Sequence, residues 1–148
     1  MLPRYHVIYG FIFTAIIWFF APSTKLIYLI LIFLSSILMD FDHYINSLFK
    51  TGKASLKNSF EYHKKLEKEI QKKHLTGIRK KTDFHFLHTL EFHALIGLLS
   101  FFWFPLFYVL IGMFLHSILD IIDMVKKDRL YLREFFFFNW IRKILKRN

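Results

Sequence analysis

The chain has 148 residues and carries a formal net charge of +10 at pH 7. That length suits one domain but is too short for two well-built ones. Hydrophobic residues make up 55% of the chain, against roughly 45–50% in ordinary soluble domains. With 20 Phe and only 5 Gly, the composition excludes a collagen-like or low-complexity chain. The absence of cysteine excludes disulfides, thiolate metal ligands and cysteine nucleophiles.

Two long stretches of the chain lack charged residues. No Lys, Arg, Asp or Glu occurs between Tyr5 and Thr24 or between Phe92 and Leu119. A transmembrane helix needs about 20 mainly apolar residues, and a chain of this size has too little interior to bury so much apolar helix in water. The sequence therefore predicts an all-α integral membrane protein, folded as a single membrane domain over residues 1–148.

The apolar segments predict a bundle of four transmembrane helices. The segment at residues 84–125 is too long for one span, and Pro105 near its middle breaks a helix there. We therefore expect a hairpin of two spans at that point. The four predicted spans are residues 6–21, 26–45, 84–104 and 106–125. A signal peptide is the alternative for the first span, but no small-x-small cleavage site follows it.

The distribution of basic residues predicts the orientation of the bundle. A polar insert at residues 46–83 separates the second and third spans, and a tail at residues 126–148 follows the fourth. Residues 44–83 hold 11 Lys/Arg against 4 Asp/Glu, and residues 126–148 hold 8 against 2. The positive-inside rule places both segments in the cytoplasm. The prediction is a multi-pass protein of the cytoplasmic membrane with both termini cytoplasmic.

Both basic segments are predicted to form amphipathic helices. In the insert, the apolar residues and histidines fall on one helical face, opposite most of the lysines. This face comprises Leu56, Phe60, His63, Leu66, Ile70 and His74, and Gly77 is the predicted stop. Residues 130–145 of the tail show a similar pattern. Such helices lie on a membrane surface, so anionic lipid headgroups are the expected partners. No base-reading motif is present, and no nucleic-acid partner is expected.

Ionisable side chains cluster near the cytoplasmic end of every predicted span. They are His6 in the first span, Asp40, Asp42 and His43 in the second, His85 and His88 in the third, and His116, Asp120 and Asp123 in the fourth. An ionisable group inside a membrane costs several kcal/mol unless it is paired, hydrated or bound to a metal. The convergence of these groups on one layer therefore predicts a functional cluster.

The residue types in this layer predict a divalent metal centre. His116 and Asp120 are four residues apart and share a helical face, whereas the Asp-Phe-Asp-His motif at residues 40–43 can aim its side chains inward only at a helix end. Imidazole nitrogen and carboxylate oxygen without sulfur suit Zn²⁺ first, with Mn²⁺ or Fe²⁺ as alternatives, as one or two ions. The predicted metal ligands are His6, Asp40, Asp42, His43, His88, His116 and Asp120.

Other ionisable residues near this layer receive other predicted roles. Glu91, one helical turn from His88, or His85 is the candidate general base for catalysis. Asp123 is the candidate for orienting a ligand histidine through a hydrogen bond. His93 lies off the predicted ligand face, and we expect it to be packed and hydrogen-bonded within the bundle.

Four sequence elements, in this order, resemble the YdjM-type membrane-bound metal-dependent hydrolases. The elements are His6 with Gly10, Asp40-Phe41-Asp42-His43, His88-Thr89, and His116 with Asp120. The resemblance implies metal-dependent hydrolysis at a membrane but defines no substrate. The family often carries an arginine shortly before its third element, which this chain lacks at that place. We expect Arg79, Lys80 or Lys81 to substitute for it if the substrate is anionic.

The predicted function is hydrolysis of a lipid-associated phosphoester or acyl substrate at the cytoplasmic membrane face. The alternative is a non-catalytic membrane scaffold in which the same His/Asp cluster holds a structural metal. Ion transport is disfavoured, because the outer halves of the predicted spans carry almost no polar residues to continue a path across the membrane.

Overall fold

The computed structural model describes residues 3–78 and 82–146, and this part of the chain is helical without β-strands. The all-α fold class is thereby confirmed. The α-helices in chain order are α1 (Pro3–Phe20), α2 (Leu26–Leu38), α3 (Phe41–Thr51), α4 (Leu56–Leu75), α5 (Leu90–Ser100), α6 (Pro105–Lys126) and α7 (Phe137–Leu145). A short 3₁₀ helix at Leu130–Leu132 lies between α6 and α7.

Helix α2 is the centre of the bundle, because α1 and α6 both pack against it. Gly112 of α6 lies directly against α2, where an added Cβ would collide with the Ile32 carbonyl oxygen and with Ser35 Oγ. A Cβ on Gly10 of α1 would collide with Ser36 Oγ in the same way. Small residues at helix contacts let two backbones approach closely. This close packing places the histidines of α1 and α6 in contact beside α2.

Polar side chains are buried and apolar ones exposed, which reverses the pattern of a water-soluble protein. The most exposed aromatic residues include Phe19, at 79% of its maximal surface, and Phe102, at 90%. Among the described residues, the buried hydrophobic side chains are Leu29, Ile32, Met39 and Met113. The buried polar set is larger and includes several histidines, serines and aspartates. An apolar exterior of this extent marks a surface that contacts lipid or another protein rather than water.

Two helical stretches are long and apolar enough to cross a membrane. They are Leu26–Thr51, which comprises α2 and α3, and Pro105–Lys126, which is α6. They correspond to the second and fourth predicted spans. Helix α5 is also apolar but has only 11 residues, so it covers about half of the predicted third span.

The second predicted span is a broken helix that runs further than expected. Helix α2 ends at Leu38, residues 39–40 form a turn, and α3 continues to Thr51. Just before the break, the Ser35 and Ser36 hydroxyls donate hydrogen bonds to backbone carbonyls three residues earlier. Bonds of this kind compete with the helical ladder and bend helices. The helical chain therefore continues beyond residue 45 to Thr51, and Asp40 lies at the break.

The third predicted span begins later than residue 84. Residues 82–89 are irregular, and α5 begins at Leu90. Thr89 caps this helix, since its Oγ1 accepts a hydrogen bond from the Phe92 backbone N–H at 3.3 Å. The helix predicted over residues 130–145 is likewise absent from the first half of that segment, where the chain forms the 3₁₀ turn and an extended stretch before α7. The helix predicted in the insert is present as α4, and Gly77 follows it with a φ of +73°.

The Gly112→Ala substitution should lower the free energy of unfolding by about 1–3 kcal/mol, the usual cost of overpacking. The added methyl group meets the Ile32 backbone carbonyl, which cannot rotate away. Gly97→Ala is the matched control, because its nearest neighbour would be Leu110 Cδ2 at an ordinary 3.6 Å. Thermal unfolding of the detergent-solubilised protein, followed by circular dichroism, measures both variants. Equal unfolding temperatures would contradict the close approach of α2 and α6.

Candidate metal centre

Five ionisable side chains from four parts of the fold meet at one end of the bundle. They are His6 of α1, Asp40 of the α2–α3 turn, His88 of the irregular segment before α5, and His116 and Asp120 of α6. The His6 and His116 side chains have no exposed surface, and Asp120 is 1% exposed. The structure therefore brings together five of the seven predicted metal ligands.

Asp120 contacts all three histidines of this cluster. Its Oδ1 lies 3.3 Å from His6 Nε2, and its Oδ2 lies 3.6 Å from His116 Nε2 and 3.8 Å from His88 Nε2. Asp40 is slightly further away, with Oδ1 3.7 Å from His116 Nε2 and Oδ2 4.0 Å from His6 Nε2. The rings of His6 and His116 stack with their centroids 3.9 Å apart. Three imidazoles and two carboxylates thus share one small buried volume.

The hydrogen bonds at the far side of two histidines direct their Nε2 atoms into the cluster. His116 Nδ1 lies 2.8 Å from the Ser36 carbonyl oxygen, which only accepts, so Nδ1 carries the proton. His88 Nδ1 lies 3.3 Å from Asp42 Oδ2 in the same relation. The two Nε2 atoms are 3.1 Å apart. Ligand nitrogens of a tetrahedral Zn²⁺ with bonds of about 2.0–2.1 Å would lie roughly 3.3 Å apart.

Two buried atoms at the cluster make no hydrogen bond within the described residues. They are His6 Nε2 and Asp40 Oδ2. Buried polar atoms of this kind are rare and costly. A divalent ion would satisfy both, and nitrogen and oxygen donors suit Zn²⁺, Mn²⁺ or Fe²⁺. The residues present therefore fit a metal ion, which confirms that buried His/Asp groups here could hold one.

The two remaining predicted ligands lie beside this cluster. Asp42 accepts a hydrogen bond from the Leu87 backbone N–H and faces Nδ1 of His88 rather than Nε2. It therefore orients the His88 ring, as carboxylates commonly do for metal-binding histidines. His43 Nε2 lies 3.6 Å from Asp40 Oδ1. Asp40, His43 and His88 form a second group compact enough to hold an ion, which keeps the two-ion alternative open.

The two candidate general bases have different surroundings. The His85 ring lies 4.2 Å from the His43 ring, and its buried Nε2 makes no hydrogen bond within the described residues. Glu91 instead accepts hydrogen bonds from the backbone N–H groups of Phe137 and Phe138. A carboxylate at a helix N-terminus is favourable. Glu91 therefore lies at the start of α5 and caps the N-terminus of α7.

The other two residues with predicted roles form hydrogen bonds outside the cluster. Asp123 pairs with Lys127, its Oδ2 accepting from Nζ at 2.8 Å. His93 is buried, with Nδ1 2.8 Å from the Thr89 carbonyl oxygen and Nε2 3.0 Å from Ser117 Oγ. Its prediction as a packed, hydrogen-bonded residue is confirmed.

Sequence reasoning missed the cation that reaches the cluster. Arg133 of the tail donates a hydrogen bond from its NH2 group to Asp120 Oδ2 at 2.6 Å, and its side chain is only 11% exposed. We had expected Arg79, Lys80 or Lys81 to supply a cation, and these residues lie outside the described part of the chain. The available signal was compositional, because Arg133 and Glu134 are the charged pair within the otherwise apolar segment at residues 130–138.

A cavity of about 1000 Å³ adjoins the metal centre. Asp40 and His43 line it, and helix α4 forms one wall. The helix is fixed there by His63, whose Nε2 donates to the His43 carbonyl oxygen at 2.9 Å, and by Tyr62, whose hydroxyl donates to Asp83 at 2.6 Å. Burial, together with the bond to Asp83, raises the pKa of Tyr62, so the phenol stays protonated as a donor. The cavity gives a ligand-sized space beside the cluster.

No family model, curated protein or solved structure matches this chain. Membership of the YdjM-type hydrolases therefore stays a prediction based on motif residues. Among those motif residues are the five that the structure brings together at the cluster.

The His116→Ala variant should lose most of its bound divalent metal, because its Nε2 faces both Asp40 and Asp120. His93→Ala is the control, since His93 is buried and hydrogen-bonded elsewhere and should leave metal content near the wild-type value. Elemental analysis of each monodisperse protein gives the metal per chain. Loss of metal in the His93 variant with retention in the His116 variant would contradict the assigned cluster.

Proposed function

We propose that this protein is a membrane-embedded, metal-dependent hydrolase that acts on a lipid-associated phosphoester or acyl substrate at the cytoplasmic membrane face. The observation that carries the proposal is the buried cluster of imidazole and carboxylate groups beside a cavity. The residues that would hold the metal are His6, Asp40, His88, His116 and Asp120. Zn²⁺ is the first candidate, with Mn²⁺ or Fe²⁺ as alternatives.

A bound divalent ion would supply a Lewis acid that lowers the pKa of a water molecule and polarises the bond under attack. Other groups of the protein orient the side chains that would hold the ion. The Ser36 carbonyl and Asp42 fix the rings of His116 and His88. His85 lines the cavity and is the candidate base that would take a proton from water there. These are the parts that a hydrolytic site requires.

The proposed topology has four membrane spans, formed by α1, the α2–α3 stretch, α5 with the residues around it, and α6. The exposed apolar side chains of all these helices support it, including Phe11, Trp18, Leu98 and Phe114. The excess of Lys and Arg in the insert and tail supports a cytoplasmic position for both segments and for both termini. In this arrangement α4 lies at the cytoplasmic surface, and the metal centre opens toward it.

A second candidate function is a non-catalytic membrane scaffold with a structural metal. The number of protein donors favours it, because structural zinc sites are usually filled by four protein ligands and five donor side chains meet at this cluster. The adjoining cavity favours catalysis, since a purely structural site has no need of a substrate-sized space. The two functions predict opposite results for a hydrolysis assay.

The purified protein should hydrolyse a lipid phosphoester or acyl ester in mixed micelles, and a chelator should abolish this activity until Zn²⁺ is restored. The His85→Asn variant should keep its metal and lose turnover by about 10²–10⁴-fold, the usual contribution of a general base. His74→Asn is the control, because His74 contacts Tyr131 at 3.2 Å and does not line the cavity. Metal-loaded protein without hydrolysis across both ester classes would favour the scaffold.

A further inference from the structure

We infer that the cavity beside the metal centre binds an anionic lipid through its phosphate, with Arg133 holding the phosphate and the apolar cavity wall holding an acyl chain. This inference rests on the proposed function and narrows its substrate to a lipid phosphoester. It follows from the placement of three features: the arginine, the apolar wall and the cluster.

The cavity walls have the amphipathic character of a lipid. Part of the lining is apolar and comes from the α2–α3 stretch and from α4. Its residues are Ile37, Leu38, Phe41, Leu56, Phe60, Leu66 and Ile70. The volume of about 1000 Å³ lies at the upper end of the range of about 300–1,000 Å³ for ligand pockets. An elongated apolar chain would bury this wall and gain the corresponding hydrophobic free energy.

The tail supplies three cations to the cavity. Lys127, Arg129 and Arg133 all line it, beside the carboxylates of Asp40, Glu67 and Asp123. Arg129 pairs with Glu67 of α4 at 3.4 Å, which joins the tail to the apolar wall. Arg133 is the innermost of the three, because it contacts the buried Asp120 carboxylate of the metal centre. A ligand group at Arg133 therefore lies next to the cluster.

The chemistry of Arg133 favours a phosphate over a neutral acyl ester. A guanidinium presents five N–H donors in a planar fork that matches phosphate oxygens, and Arg133 lines the cavity while its NH2 group contacts Asp120. A neutral ester offers a guanidinium no charge. Arg133 is thus a positioning residue for the substrate's phosphate.

The reaction implied for such a substrate is hydrolysis of the phosphoester. The oxygen of a water molecule forms a bond to phosphorus, and the bond from phosphorus to the lipid alcohol oxygen breaks. A proton from that water passes, by way of a cavity base such as His85, to the leaving oxygen. The products are the lipid alcohol and the released phosphate.

Binding of three matched probes to the full-length protein in mixed micelles tests the inference. Phosphatidic acid carries both phosphate and chains, diacylglycerol carries the chains alone, and glycerol phosphate carries the phosphate alone. We expect phosphatidic acid to bind at least about 10-fold more tightly than either other probe. A charged hydrogen bond of this kind contributes that much to the affinity. Equal binding of diacylglycerol would overturn the phosphate assignment, and equal binding of glycerol phosphate would overturn the lipid assignment.

Three variants assign the binding to the residues named. Arg133→Gln should weaken phosphatidic acid binding by about 10-fold and leave diacylglycerol binding unchanged, and Arg133→Lys should restore part of the loss. Arg142→Gln is the matched control, an exposed tail arginine that contacts Asn139. Phe60→Ser, at a residue already 61% exposed, should weaken both chain-bearing probes and leave glycerol phosphate unaffected. Equal effects of Arg133→Gln and Arg142→Gln would overturn the inference.

The binding assay also separates this inference from the proposed function. Phosphate-selective binding that depends on Arg133, in a protein that hydrolyses no ester, would support the lipid site and contradict the hydrolase. Release of fatty acid from acyl lipids without any preference for phosphate would support the hydrolase and overturn this inference.

Discussion

The central constraint on this structure is the cost of burying three imidazoles and two carboxylates in one place. His6, His116 and Asp120 are almost completely inaccessible, and ionisable groups at such depth are expensive unless they are neutralised. Arg133 supplies part of the compensating charge, because it contacts Asp120. His6 Nε2 and Asp40 Oδ2 still make no hydrogen bond within the described residues. A divalent cation is the simplest group that satisfies both.

The close packing of α1 and α6 against α2 makes this cluster possible. Gly10 and Gly112 allow α1 and α6 to lie against α2 without a Cβ between the backbones. The break after α2 then turns Asp40 toward the two stacked histidines. Because the exterior of the bundle is apolar and its centre polar, the hydrophobic effect in water cannot account for the packing. Close backbone contact and polar interactions stabilise the packing instead.

Helix periodicity explains why much of the site could be predicted from the sequence. The four-residue spacing of His116 and Asp120 places both on one face, and the structure brings them together at 3.6 Å. The positions of His6 and His88 followed from the expectation that every apolar helix presents its ionisable residues at the same end. The all-helical class and the helix of the insert followed from the same kind of pattern.

The predictions that failed concern contacts between irregular segments that are distant in the sequence. The tail folds back so that Glu91 caps the N-terminus of α7 and Arg133 reaches Asp120, and no periodicity in the sequence encodes either contact. The Thr89 cap, after which α5 begins at Leu90, likewise depends on the irregular segment before the helix. Asp42 was predicted as a ligand because the motif groups it with Asp40, yet the turn places it behind His88.

X-ray absorption spectroscopy of the purified full-length protein tests the central claim most directly. If the cluster is a metal centre, the absorption edge of a bound ion, Zn²⁺ in the first instance, should show nitrogen and oxygen neighbours at about 2.0–2.1 Å. Scattering from the outer ring atoms of two or more imidazoles should accompany them. A protein that retains no divalent metal after exposure to it, or a bound ion whose neighbours include no imidazole, would contradict the account.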